Sequence, residues 1–295
     1  MTQVFHSPLP VNLPPNEATS AILSLTLAHM RTMPSSLMVW SGPPGRGKTT
    51  ASEQFRDALV ALRPADSTPV WMMNWGGALN GKGTRQMHRG LTTVYKRFVE
   101  DESLRYLARS TEQTLAEDIV TAFRDNGTVL LVIDEAGTMS ADEMRGVGMV
   151  IDEAAKKHLR MHILMISMDN ITDKMKTHRV IDSRTTLDLD FGAWQPVDVI
   201  QLMHSCGTAL STAISSSGTA AEALGSTVAE QSAGDLRLVT TVGIRMNAVL
   251  AKPASAGKTI DLCRLASTIF MSHRSARVAR ASRDEARPTR RRRSA

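Results

Sequence analysis

Apolar residues along this chain follow two kinds of pattern, and the mixture changes once. Short, nearly unbroken apolar runs predict five strands: Leu37-Met38-Val39-Trp40, Val70-Trp71-Met72-Met73, Thr128–Ile133 ending in Asp134-Glu135, His162–Ser167 and Thr186–Phe191. Runs without polar alternation are what a parallel sheet covered on both faces requires. Between them, apolar positions recur at helical spacing: from Ala18 to Arg31, in the segment carrying Phe55, Leu59 and Leu62, in segments filling 86–124, and over 141–157. Asp125-Asn126-Gly127 marks the turn into the third strand. Beyond Pro196 only helical spacing remains. Gly234-Asp235-Leu236-Arg237 opens a helix to Leu250, and Ile260, Leu262, Leu265 and Ile269 mark a last one. Ser211–Ser226, rich in Ser, Thr, Gly and Ala, reads as a loop or loosely packed linker, and four prolines (8, 10, 14 and 15) make 1–17 an extended arm. The expected organisation is thus an extended arm at 1–17, an α/β domain at 18–195, a helical part at 196–272 and a disordered, Arg-rich basic tail at 273–295. There are no internal repeats.

Composition changes this picture in two places. A hydrophobic share of 42% suffices for a buried core, and no apolar run approaches the roughly 18 residues that cross a bilayer. Met is frequent, with 17 residues, and the Met-rich runs are read as core filling. Cys206 and Cys263 lack metal-ligand spacing, which fits a reducing cytoplasm and argues against a disulfide scaffold or a zinc site. The N-terminus lacks the basic and apolar regions of a secretory signal. Charge is unevenly placed. From Arg274 to Ala295 nine arginines face two carboxylates, a net +7, so residues 1–273 carry −1 of the total of +6. A basic tail on a nearly neutral body points to nucleic acid or an acidic partner, or else to a solubilising end.

The chemistry concentrates in two motifs. Gly42-Pro43-Pro44-Gly45-Arg46-Gly47-Lys48-Thr49-Thr50 satisfies the G-x-x-x-x-G-K-T pattern and lies between a predicted strand and a predicted helix. Its glycines let backbone N–H groups face phosphates, and the helix N-terminus adds a favourable dipole. Lys48 would neutralise the outer phosphates and Thr49 would bind Mg²⁺. In the second motif a buried strand ends in Asp134, placed beside the metal, and Glu135 can polarise a water for attack on the terminal phosphate. A triphosphate with Mg²⁺ is therefore the expected ligand.

The series GPPGRGKTT, LLVIDEAG, a polar end to the strand ILMISMDN, HRVIDSR and AGDLRLV resembles the AAA+ ATPases over roughly residues 18–250. The resemblance implies a P-loop NTPase fold: a parallel five-stranded sheet of order 5-1-4-3-2 flanked by helices, with a small helical lid. It implies ATP as the nucleotide and active sites shared between subunits of a ring or filament. Asn170 matches the polar sensor that orients the attacking water, with Ser167 and Asp169 as alternatives. Arg184 matches the arginine finger that reaches the neighbouring subunit, with Arg179 second, and Arg237 matches the lid arginine. Size and the IDEA motif are most similar to the target-selection ATPases of DNA transposition, of phage Mu B and TnsC/TniB type. That likeness implies an oligomer on duplex DNA that recruits a transposase and dissolves after hydrolysis. The DNA contacts would be sequence-independent phosphate contacts, from Lys82, Thr84 and Arg85 in a Gly-rich loop and from Arg89 and Lys96–Arg97 on the next helix.

Two other classes stay open at this point. A P-loop small-molecule kinase has little use for paired arginines or an Arg-rich tail. A protein-remodelling or adaptor AAA+ module needs an aromatic pore loop after the second strand, for which Trp75-Gly76-Gly77 is the candidate.

Overall fold

The computed structural model of the chain describes residues 17–61, 68–75, 86–98, 107, 109–169, 171–176, 185–252 and 260–285. Helix α1 (Glu17–Thr32) leads into β1 (Ser35–Ser41), α2 (Lys48–Ala61) and β2 (Val70–Asn74). Next come α3 (Gln86–Phe98), α4 (Glu112–Asp125), β3 (Leu130–Asp134), α5 (Ala141–Lys156), β4 (Met161–Ile166), the short α6 (Thr172–Lys176) and β5 (Thr185–Asp190). All pairings are parallel and the sheet order is β2-β3-β4-β1-β5, the order 5-1-4-3-2 read from the other edge.

Alternate residues of the three central strands serve opposite faces, as the pleat dictates. Leu37, Val39, Leu131, Ile133, Ile163 and Met165 join a core with α3, α4 and α5 residues such as Leu91, Ile119 and Val147. Met38, Trp40, Leu130, Val132, Leu164 and Ile166 join a second core with Ile22 and Met30 of α1 and Ala51 and Phe55 of α2. Both faces are thus apolar, which is why these strands read as unbroken runs. The edge strand β5 departs from that expectation. Thr186, Asp188 and Asp190 are exposed while Leu187 and Leu189 pack inward, and outward carboxylates discourage another strand from adding to the edge.

Helices α3 and α5 approach so closely that a Cβ at Gly146 would lie 2.3 Å from the Met87 carbonyl oxygen, and one at Gly90 2.6 Å from that of Glu143. Start of α5 and face of α3 are further joined by Arg89 and Glu143, whose ion pair measures 3.3 Å. Glu143 also completes a capping box with Ser140.

His162 of β4 has no solvent exposure and its Nδ1 lies 2.7 Å from Ser36 Oγ. Burial, with the nearby charges of His29 and Arg160 adding to it, pulls its pKa from 6.5 down to about 4. The unfolded chain takes up the proton as pH falls below 6.5, but the fold accepts it only near 4. Stability from this residue is therefore full above 6.5 and is lost progressively as pH falls from 6.5 towards 4. The loss amounts to about 3 kcal/mol at the lower limit. Urea midpoints measured across that range should fall in the wild type. They should fall less in His162→Gln, and an equally steep fall in the variant would assign the acid sensitivity to other groups.

The chain divides between Gly192 and Ala193, close to the change of pattern at Pro196. The second unit consists of α7 (Pro196–His204), α8 (Thr208–Ser215), α9 (Ala220–Ser232), α10 (Leu236–Leu250) and α11 (Leu262–Glu285). Its core joins Val199, Leu202, Leu210, Ile214, Leu224, Val228, Val242, Ala266 and Phe270. Two expectations change here. The segment 211–226 is mostly helical, in α8 and α9, because Leu210, Ile214, Leu224 and Val228 recur at helical spacing and are buried. Its small residues serve close packing: a Cβ at Gly225 would meet the Pro196 carbonyl oxygen at 2.6 Å. The disordered tail expected from 273 is also revised, since the helical backbone of α11 runs on to Glu285. A helix nucleated by its packed first half propagates cheaply through Ala and Arg.

Candidate nucleotide site

The C-terminal ends of parallel strands are where an open α/β sheet places its ligand site. Strand β1 ends there at Ser41, and the chain turns through Gly42–Gly47 into α2. Gly42, Gly45 and Gly47 have φ of 136°, 77° and 88°, conformations that suit glycine and expose successive N–H groups on one side. Gly42 is further constrained, because a Cβ there would lie 2.8 Å from the Phe191 carbonyl oxygen just past β5. Pro43 and Pro44 are exposed and Arg46 and Thr50 half-buried. The Gly47 carbonyl accepts from the Ala51 amide at 2.8 Å, starting the helix whose N-terminus faces the loop. Lys48 is buried, and its Nζ donates to the Gly42 and Pro43 carbonyls, the latter at 2.8 Å. Its ammonium is thus held inside the loop that would surround phosphate.

Thr49 Oγ1 donates to Asp134 Oδ2 at 2.8 Å, joining residues 85 positions apart in sequence. A hydroxyl and a carboxylate of this kind are hard oxygen donors that suit Mg²⁺. The other Asp134 oxygen accepts from the Glu135 amide at 2.8 Å. Glu135 is exposed and adopts φ 57°, ψ 30°, the left-handed region, which costs a non-glycine residue about 1–2 kcal/mol. The turn behind it fixes that conformation: Thr138 Oγ1 and the Thr138 amide both donate to the Glu135 carbonyl, at 2.9 and 3.1 Å. Strain retained in a residue whose side chain meets solvent points to a functional constraint.

At the end of β4, buried Ser167 packs under the turn that follows Glu135. A Cβ at Gly137 would lie 2.5 Å from its Oγ. Asp169 is exposed and its amide approaches Ser167 Oγ at 3.3 Å. Asn170, Arg184 and Arg179 lie outside the described residues, as do Lys82, Thr84 and Arg85 of the Gly-rich loop. Arg89 is described and meets Glu143 in the ion pair given above, whereas Lys96 and Arg97 are exposed on α3. Arg237 is exposed in the first turn of α10, where Asp235 caps its amide at 2.9 Å. Trp75 is 3% exposed and its amide donates to the Asp134 carbonyl at 2.8 Å. Its indole is core and not a pore-lining aromatic. Sequence reading missed Lys174, whose Nζ donates to the Gly137 carbonyl at 2.6 Å beside the Glu135 turn. A single lysine in a polar stretch carries no spacing signal that would have singled it out.

A scan against protein-family models finds no match, and a search of curated proteins finds no relative. Solved structures do match. The Aeropyrum pernix ORC2 protein in its ADPNP-ADP complexes superposes with a TM-score of 0.58 at 14% identity, over 90% of this chain and 70% of that one. Domain III of the Thermotoga maritima replication initiation protein DnaA gives 0.52 at 13% identity, over 90% and 99%. The Aeropyrum pernix ORC1 protein in complex with DNA gives 0.53 at 13% identity, over 92% and 69%. The sheet order, the loop between β1 and α2, and these neighbours define the fold as that of the P-loop NTPases of AAA+ type. Among the described residues no helix is long and apolar enough to cross a membrane.

Proposed function

We propose that this chain is a DNA-binding AAA+ ATPase that assembles on duplex DNA with ATP bound, selects targets and recruits the transposase in DNA transposition, and disassembles on hydrolysis. The observation that carries the reading is the meeting of Thr49, Asp134 and the strained Glu135 beside the glycine loop. These residues fit a triphosphate with a divalent cation: an ammonium already inside the loop, N–H groups freed by three positive-φ glycines, and paired hard oxygens at the mouth. Lys48 exchanges its carbonyl partners for phosphate oxygens as the nucleotide enters. Thr49 and Asp134 would hold Mg²⁺, which neutralises phosphate charge when bound. Glu135 would orient a water and accept its proton as the water oxygen bonds to the terminal phosphorus and the bond from that phosphorus to the diphosphate breaks, leaving ADP and phosphate. Asn170, or Ser167 or Asp169 in its place, would align that water. Arg184, or Arg179 instead, would reach from a neighbouring subunit of the ring or filament, and Arg237 would close from the lid.

Two neighbours support nucleotide and DNA as the ligands proposed, since one was solved with ADPNP and ADP and another with DNA. Lys82, Thr84, Arg85 and Arg89 are the proposed phosphate contacts of the α/β domain. Partial engagement of Arg89 with Glu143 makes it the weakest of the four. The remodelling alternative loses its one candidate, the buried Trp75.

DNA affinity should appear with ATP and fade with ADP. With six or more phosphate contacts it should drop about a thousandfold between roughly 50 and 200 mM salt. Fluorescence anisotropy with a random duplex measures this. No ATP-dependent binding, together with no stimulation of hydrolysis by DNA, removes the reading. Binding without capture of the transposase or bias in its insertion sites would remove the transposition part alone.

A further inference from the structure

Helix α11 supplies part of the core of its own unit. Leu262, Ala266, Ile269 and Phe270 are buried in the helical core, and Met271 is 63% exposed. The helical backbone then continues to Glu285. At about 1.5 Å per residue this adds roughly 20 Å of helix beyond Phe270. Between Met271 and Arg283 the sequence holds Arg274, Arg277, Arg280 and Arg283 and no carboxylate; Asp284 and Glu285 follow at the end.

We infer that this distal half of α11 is an arm that lies in the major groove of duplex DNA and binds the phosphates on both sides of it. The inference rests on the DNA-binding reading above and assigns a place on the chain to part of that binding. Spacing decides the geometry. Successive arginine positions advance by three residues, or about 300° of helix rotation, so the four positions sweep about half of the circumference. The first and the last therefore lie on opposite sides. A flat acidic surface would call for a single stripe at alternating spacings of three and four. A groove about 12 Å wide with phosphates along both rims is matched by cations spread over a half-circle. Along the axis one arginine occurs every ~4.5 Å, against one phosphate charge per ~1.7 Å of duplex, so each finds a partner.

The remaining positions argue against a membrane. Ser275, Ala276, Val278, Ala279, Ala281 and Ser282 are small, whereas an interfacial helix needs a broad face of Leu, Phe or Trp. Small residues also let the backbone enter the groove without steric conflict, and none of them offers a base-reading donor pair. Binding by this arm is accordingly independent of sequence.

The test uses the full chain with all four arginines changed to Gln, which keeps helix propensity and length, and a companion with all four changed to Lys. The logarithmic salt dependence of DNA binding should fall by about three to four in the Gln protein, with affinity lowered at least tenfold at ~0.1 M salt. The Lys protein should keep the wild-type slope, because phosphate recognition of this kind needs charge more than the guanidinium fork. ATP hydrolysis without DNA and the melting temperature should not change in either. A Gln protein with wild-type slope and affinity overturns the inference and assigns the helix to an acidic protein partner, while leaving the DNA-binding reading intact. A Lys protein as weak as the Gln protein also overturns it. A wild type that binds no duplex at all overturns the reading itself.

Discussion

Replacing Glu135 with Gln is expected to slow ATP turnover by about 10²–10⁴-fold, the range a positioned base contributes, with triphosphate affinity unchanged. The geometry makes the expectation specific. The Glu135 amide holds one Asp134 oxygen and its carbonyl accepts twice from Thr138, and none of these bonds involves the side chain. Gln preserves them along with the shape of the exposed side chain. What it removes is the capacity to take a proton from water. If assembly on DNA depends on bound triphosphate, the variant should also persist on DNA long after wild type has dissolved. Single-turnover hydrolysis, nucleotide dissociation constants and light scattering on DNA separate the three effects. Unchanged hydrolysis would exclude Glu135 as the base, and lost nucleotide binding would make it a structural residue. Glu135→Gly offers a sharper contrast. It removes the same base but also relieves the left-handed strain, which for glycine disappears. Its melting point should hold or rise while turnover is lost, the relation expected where strain is retained for function.

The two motifs and the sheet were legible because their physics is local. A strand buried on both faces must be apolar throughout, and a phosphate loop must place glycines where side chains cannot go. Strand order followed from the resemblance, and the central strands follow the expected boundaries to within two residues. Legibility ended where a residue's role depends on what lies opposite it. Trp75, at the edge of a glycine-rich stretch, looks like an exposed loop aromatic, but its burial follows from the pairing of β2 with β3 that carries it under Asp134. Arg89 has a carboxylate beside it, Glu143 of α5, that nothing in its own stretch of sequence announces. The Ser- and Ala-rich stretch after Pro196 looks loose because small residues are equally frequent in linkers and in tightly crossing helices. Only Leu210, Ile214, Leu224 and Val228, read across the intervening turn, tell the two apart. The left-handed conformation of Glu135 has no sequence signal, since nothing in IDEAG distinguishes a strained acid from a relaxed one.

Gly42 shows the same dependence on a distant partner, and it carries the second large effect. Of the three positive-φ glycines in the loop it has the most extreme value, 136°, a region nearly closed to side chains. It is also the one pressed against another strand's end. A Cβ would stand 2.8 Å from the Phe191 carbonyl oxygen, 3.1 Å from Asp190 Oδ1 and 3.2 Å from Phe191 Cβ. Phe191 has little freedom to retreat: its amide donates to the Ser41 carbonyl at 2.8 Å and its ring packs on Trp40 at 5.3 Å between centroids. In Gly42→Ala the loop must therefore move, taking with it the carbonyl that accepts from Lys48. Strain of about 1–3 kcal/mol falls on the cradle itself, so affinity for a non-hydrolysable triphosphate should drop by about 10–100-fold and the melting temperature should fall with it. Lys48→Ala separates the two consequences, because it removes the cation but leaves the backbone where it is. That variant should lose nucleotide affinity with a much smaller loss of stability. Calorimetric titration and thermal unfolding of the two proteins side by side decide the matter. A Gly42→Ala protein that binds triphosphate as the wild type does would mean that the approach of the loop to β5 does not set the shape of the phosphate cradle.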